Sequence, residues 1–477
     1  MDSAKFNVRP DMTHQEIEAD YVIVGSGAVG MAFADVILSE TDATVAIIDR
    51  HHKPGGHWNV AYPFVTLHQP SAYYGVPSRE LSSGLKDEVG LNKGLYDVAS
   101  GAEVQAYYDN VMRQTFLPSG RVQYFPLCDY TGDGVFSHTV SNKTYCVTAR
   151  KKTVDCTYLN TNVPSTHTPN FSISKGVRFC PLNDLPFLKD APDGYVIIGG
   201  GKTGIDACLW LLQHDVDPDK IQWIVSRDAW LLNRKNAQPT MEFFNNSLGA
   251  QANQFEAIAR ADSIADMFDR LEDCGYFLRL DPTIRPSMFH GATITELELE
   301  QLRRIKNIVR LGRVQSIGVD KITLKDGELV TGSNILHVDC SASAITNLTM
   351  KPIFEGDLIT PQTVRSYQPV FSAAFVAHIE AAHSDQDTKN ELCTVVPLPN
   401  HDTDYIKFTA AFMKNQYLWS RDPDLRNWLL NNRLDGFSRV VADMDREDAE
   451  KVAIMKKLKD NSFPAMGKLM QFMKEIA

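Results

Sequence analysis

Two glycine runs, each followed at a fixed distance by a charged residue, carry the clearest chemistry in this chain. Gly25, Gly27 and Gly30 spell G-x-G-x-x-G directly after the apolar run YVIV. In such a turn the first glycine supplies the backbone angles. The second lets a pyrophosphate approach the main chain, and the third lets a helix lie close on a strand. The unpaired N–H groups opening that helix then face the phosphates. Asp49, nineteen residues past Gly30, stands where a carboxylate can accept hydrogen bonds from ribose hydroxyls, with Arg50 next to it. Gly199, Gly201 and Gly204 repeat the pattern in GGGKTG, where Lys202 and Thr203 begin the next helical stretch. The strand that follows ends in Arg227, and a guanidinium suits a 2′-phosphate through paired, charge-assisted hydrogen bonds. Lys202, Arg234 and Lys235 are expected to add to that positive field. The second site is therefore read as holding NADPH, with NADH left open.

The elements that must position these residues are legible around them. YVIVGSGAVGMAFADVILSE followed by ATVAIIDR reads as strand, turn, helix, strand, with Val29, Ala32, Phe33, Val36 and Ile37 on one helix face. YVIIGGGKTGIDACLWLLQH followed by IQWIVSR repeats the order, with Ile205, Cys208, Leu209 and Leu212 as the buried stripe. The fold class is thus α/β, with two Rossmann-type dinucleotide-binding domains and a helical C-terminal region. Residues 62–183 read as short strands and turns. Residues 243–280 read as a helix-rich excursion, and strands with a KDGE turn return after it. The expected division is 1–188 for the first part of one nucleotide domain, 189–335 for the second, and 336–477 for a return to the first domain plus C-terminal helices. HVDCSAS is expected to be the returning strand.

Composition narrows the classes. At 477 residues, 43% apolar and 22% charged, the chain is globular and large enough for two or three domains. A net charge of −11 argues against a nucleic-acid surface. The start lacks the apolar core of a signal peptide, and no run is long enough to span a bilayer, so a cytoplasmic protein is expected. The Lys-rich C-terminal stretch is read as core or dimer packing, which leaves a homodimer open, rather than as membrane contact. The eight cysteines stand at least ten residues apart, which speaks against a dithiol redox pair. His51, His52 and His57 lack the partners of a zinc site, so no metal is expected.

After the first unit the chain reads RHHKPGGHWNVAYPFVTLHQPSAYYG, with Gly55, Gly56, Trp58, Tyr62 and Pro63 at the positions of a GG-x-W and YP pattern. This resembles the class B flavin-dependent monooxygenases, two-dinucleotide-binding-domain flavoproteins. The resemblance implies FAD in the first unit, with Gly56 and Trp58 beside the cofactor. It also implies NADPH in the second unit, and oxidation of a small organic substrate at an N, S or activated carbon centre through a flavin C4a-peroxide formed with O2. The family's F-x-G-x-x-x-H-x-x-x-F/W/Y stretch is reduced here to Phe179, with Pro181 in place of the glycine, and the Baeyer–Villiger arginine is absent where Thr66 and His68 fall.

The segment Thr66–Tyr74 is expected to cross the flavin face. His68 is read as the group that manages protons and Gln69 as a hydrogen-bonding partner of flavin or nicotinamide, the catalytic candidates. Flavin supplies the redox step itself, so no protein nucleophile is required. Two alternatives remain at this point. One is an NADPH-linked flavin reductase or dehydrogenase without oxygen insertion; the other is a nucleotide-binding redox sensor.

Overall fold

The computed structural model describes residues 15–159, 161–342 and 349–476. β1 (Gln15–Val24) runs parallel to β2 (Val45–Ile48), in register from Tyr21 opposite Val45 to Val24 opposite Ile48. On its other side β1 pairs in parallel with Thr144–Asp155, and Val122–Phe125 pairs with β2. Two hairpins complete an eight-stranded sheet: Cys128–Gly132 with Val135–His138, and Phe354–Glu355 with Leu358–Ile359. Leu358–Ile359 lies parallel to Thr144–Asp155, so the chain rejoins its first sheet late.

Helix α1 (Ala28–Glu40) links β1 to β2. Ala32, Phe33, Val36 and Ile37 are buried as their spacing predicts, and Val29 is half-buried. Met31 and Ala34 are just as deeply buried, because the Pro369–Ala382 helix packs on α1 from another side. α1 is thus an interior helix rather than a one-faced one.

The second sheet has five strands, all parallel, in the order Arg178–Pro181, Ile335–Asp339, Gly194–Ile198, Ile221–Ile224, Ile308–Val309. Arg178–Pro181 precedes residue 189, and Ile335–Asp339 sits between two strands of this sheet. The expected boundaries at 188/189 and 335/336 thus fall within the stretch of chain that builds this sheet. The HVDC run belongs to the second nucleotide unit, where Cys340 N donates to Ile198 O at 2.9 Å. Ser343, at the end of HVDCSAS, lies outside the described residues.

Within 62–183 the expectation of strands alone fails. Gly101–Val111 is an α-helix opened by a capping box in which Ser100 and Glu103 satisfy each other's backbone N–H groups. Val104, Tyr107, Tyr108 and Val111 form its buried stripe. The excursion supplies the helices Phe244–Ala259 and Ile264–Asp273. These pack with Asp404–Arg421 and Ala449–Glu475 around the aromatic core of Trp230, Phe268, Phe277, Phe289 and Tyr405. Ala465, Leu469 and Phe472 of the Lys-rich terminal helix point into that core. Among the described residues no helix is long and apolar enough to cross a membrane.

Both glycine turns are closed by the same approach. A Cβ on Gly30 would lie 1.9 Å from Gly25 O, and one on Gly204 would lie 2.0 Å from Gly199 O. Backbone cannot yield that far without moving the helix. Gly30→Ala is expected to cost about 3 kcal/mol or more by overpacking. Urea unfolding midpoints would read this, and a variant as stable as the parent would contradict the close approach.

Candidate functional site

The first cradle begins where β1 ends. Gly25 has φ of 100°, a left-handed region that suits glycine, and its N–H donates to Ile48 O at 2.8 Å. α1 then starts behind Gly27, which offers no side-chain cap, so the first-turn N–H groups are left for a ligand. Asp49 is 5% exposed at the end of β2. Its Oδ2 accepts from Ser26 N at 2.5 Å and Ser26 Oγ at 2.8 Å, and its Oδ1 accepts from His51 N at 2.7 Å. The carboxylate therefore braces the glycine turn and stands beside it. Arg50 is exposed on the rim.

Gly55 and Gly56 fold back on this turn. Gly55 N donates to Ser26 O at 2.9 Å, and a Cβ on Gly56 would meet Gly27 Cα at 2.9 Å. The paired glycines are needed for contact with the cradle's own backbone. Trp58 is 6% exposed and gives its indole N–H to Tyr74 Oη at 2.8 Å, which makes it a packing group of the first core. Asn59 Oδ1 is buried beside Gly55 with no partner among the described residues.

The second cradle repeats the first. Gly199 has φ of 132°, its N–H donates to Ile224 O at 3.0 Å, and its carbonyl accepts from Trp223 Nε1 at 2.8 Å. The helix Lys202–Gln213 opens behind Gly201, again without a side-chain cap, and the space a Cβ would occupy at Gly201 is open. Thr203 and Gly204 follow in its first turn, Thr203 half-buried.

The cations around this cradle divide into two kinds. Arg227 gives Nη2 to Asn400 Oδ1 at 2.8 Å, and the same oxygen contacts His290 Nε2 at 3.0 Å. Burial, and then the charge of Arg313, loosen Arg227's hold on its proton. The neighbouring acid, Asp228, is spent on Arg310, which grips it at 2.8 and 3.0 Å. Lys202 is different: it pairs with Asp206 one turn along its own helix. Arg234 is 1% exposed and points away from the cradle into protein, and Lys235 is exposed. Of the cations expected in this field, Lys202 is paired with Asp206, Arg234 is bonded to protein groups, and Arg227 is half-buried and bonded to Asn400.

A segment of the first unit joins the two cradles. Tyr62 Oη donates to Asp206 Oδ2 at 2.6 Å, Phe64 stacks on Trp210 at 5.1 Å, and His68 O accepts from Arg234 Nε at 2.8 Å. Tyr62 belongs to the core of the second unit although it follows the first glycine motif. Farther on, Arg433 donates to Ala72 O, Tyr74 O, Val76 O and Arg79 O at 2.6 to 3.1 Å. His68 and Gln69 are half-buried on this segment. Burial first, then the charges of Lys202 and Arg234, hold the His68 imidazole well below its usual range. It is neutral at pH 7, with one nitrogen bearing hydrogen and the other a lone pair. Among the described residues, the only side-chain hydrogen bond at His68 is the one its backbone carbonyl accepts from Arg234.

His57 is likewise pushed down by burial, to about 4. In an unfolded chain both rings protonate near pH 6.5, whereas the folded chain resists. Their contribution to stability is complete above about pH 6.5 and is lost as the pH falls toward the folded values, by up to about 1.4 kcal/mol per pH unit for each ring. His68→Gln should lose less stability than the parent between pH 7.5 and 5, read from urea midpoints. An equal loss would show His68 charged in the folded chain.

The NAD(P)-binding Rossmann-like domain family matches residues 23–63, the end of β1 and the first glycine turn through Pro63. Among solved structures, cyclohexanone-bound cyclohexanone monooxygenase aligns at 11% identity with a TM-score of 0.49, covering 79% of this chain and 87% of that one. A bacillithiol disulfide reductase from Staphylococcus aureus aligns at 13% with a TM-score of 0.45, covering 78% and 100%. The fold assignment rests on the strand orders above. Over 422 residues the chain is 48% identical to Uncharacterized protein Rv2000 of Mycobacterium tuberculosis, with 88% of this chain and 78% of that protein covered. Identity of that extent settles kinship: the chain belongs to the family of this mycobacterial protein.

Proposed function

We propose that this chain is an FAD-dependent, NADPH-consuming monooxygenase acting on a small organic molecule. One observation carries the reading. The segment that leaves the first cradle lands on the helix opening the second, where Tyr62 bonds Asp206 and Phe64 stacks on Trp210, so two bound dinucleotides can bring their rings together.

The residues present fit both groups. For FAD, the Gly25–Gly30 turn and the open end of α1 would take the pyrophosphate, and Asp49 would turn from Ser26 to ribose hydroxyls. The buried, unpartnered Asn59 Oδ1 offers a further acceptor. For NADPH, Gly199, Gly201 and Gly204 with the N–H groups of Lys202 and Thr203 would take the pyrophosphate. Arg227, with Arg313 near it, would take the 2′-phosphate, because a dianion relieves the repulsion between two cations. The arginine at the second ribose position favours NADPH there, and the GG-x-W and YP resemblance after the first turn is what points to FAD in the first.

Bound FAD would supply the two-electron chemistry and the reaction with O2. The protein's own contribution is placement and protons. Tyr62 and Phe64 fix the crossing segment on the second helix. His68, neutral, can donate at one ring nitrogen and accept at the other without charging in a site that already holds two cations. Gln69 adds an amide next to it.

Purified chain loaded with FAD and given NADPH, substrate candidates and labelled O2 is expected to yield products carrying one labelled oxygen by mass spectrometry. NADPH oxidation with unlabelled product would replace this reading with a reductase or dehydrogenase, and no NADPH oxidation would leave a nucleotide sensor. Arg227→Glu is expected to raise the KM for NADPH by about tenfold or more, equivalent to about 1.4 kcal/mol, with much less effect on NADH. Equal changes for both nucleotides would place the 2′-phosphate elsewhere.

A further inference from the structure

Arg234 sits where two stretches of the first unit meet the insert of the second. It is 1% exposed, and every nitrogen of its guanidinium is used. Nε donates to His68 O at 2.8 Å, Nη1 to Asn92 Oδ1 at 3.1 Å, and Nη2 reaches Thr293 O at 3.4 Å and Glu298 Oε2 at 3.1 Å. Neighbours extend the grip. Gln238 Nε2 donates to Arg234 O, while its Oε1 accepts from Tyr96 N at 2.9 Å. Thr295 Oγ1 donates to Leu91 O at 2.7 Å, and Thr295 also caps the short helix that carries Glu298. Thus residue 68 and residues 91–96 are both held by residues 234–298.

We propose that Arg234 is a positioning residue that sets the two cradles at working distance by fixing His68 and the 91–96 loop against the second nucleotide unit. The inference rests on the oxidoreductase reading for its catalytic consequence, though not for the clamp itself. Three features point to this role. A buried arginine whose nitrogens are all engaged tolerates little displacement, because moving either unit strands a charge or a carbonyl in low dielectric. The planar fork serves partners in different directions, which a lysine point charge cannot do. The carbonyl it holds belongs to His68, on the segment that Tyr62 and Phe64 seat against Asp206 and Trp210 of the second helix.

Arg234→Met keeps the apolar stem and removes the fork. In ligand-free protein, hydrogen exchange should rise by about tenfold or more across residues 66–70 and 91–97, while amides of β1 and of the Gly194–Ile198 strand keep their protection. In FAD-loaded protein, reduction of the flavin by saturating NADPH should slow by about tenfold or more, with the KM for NADPH little changed and reduction by dithionite unaltered. A merely structural residue would alter flavin content or both reductions together. If Arg234→Met does not fold, Asn92→Ala with Gln238→Met removes the loop's anchors and leaves the arginine. The same local exchange and a smaller slowing, about threefold, are then expected. Unchanged exchange, or NADPH reduction at the parent's rate, overturns the proposal in either variant. A parent chain that binds no FAD sinks the oxidoreductase reading instead, and the exchange experiment still decides the clamp.

Discussion

A helix can offer its first-turn N–H groups to a phosphate only when its own side chains leave the space ahead of it empty and its axis lies almost against the preceding strand. This chain meets that constraint twice with the same geometry. The third glycine of each motif comes so near the first glycine's carbonyl that no other residue fits, and neither helix carries a side-chain cap. Everything placed around the turns follows. The parallel strands direct both helix starts, Gly56 can touch Gly27 because Gly56 lacks a Cβ, and Trp223 secures the carbonyl of Gly199.

The electrostatic differences between the cradles arise from what each charged neighbour already holds. Asp49 is engaged by groups of its own turn, all of them donors that a ribose could replace or share. Near the second turn, Asp228 would neutralise Arg227 if it were not clasped by Arg310. That pairing leaves Arg227 bonded to Asn400 Oδ1, an oxygen that His290 Nε2 also contacts. Field strength at a binding site depends on such prior commitments more than on the number of cations nearby, which is why Lys202, paired with Asp206, contributes less than its position suggests.

What was legible in the sequence was whatever repeats locally. Glycine spacing, apolar runs and helical stripes announced both nucleotide units, because the constraints that shape them act within a few turns of chain. The Gly101–Val111 helix is equally announced by its Ser100–Glu103 box, but the stretch around it is rich in strand formers, which obscure that signal. HVDC was apolar enough for a strand, but nothing local tells which of two parallel sheets will accept it. Arg234 illustrates the opposite limit: its partners lie at residues 68, 92, 293 and 298, so its place in the sequence suggests only a share in the second cradle's positive field.

The misreading of Arg234 bears on how two similar units come to act together. Each cradle is specified by short-range pattern, so each could form with no information about the other. Their mutual position must be written in longer-range contacts, and these are few and chemically demanding. Tyr62 donates to Asp206, Phe64 stacks on Trp210, and Arg234 holds His68 O and Asn92. Apolar contacts such as Phe64 on Trp210 slide at small cost, whereas a buried guanidinium with all its nitrogens engaged does not. Directional bonding at this junction thus gives the pair of cradles a defined separation, which transfer between two bound rings requires.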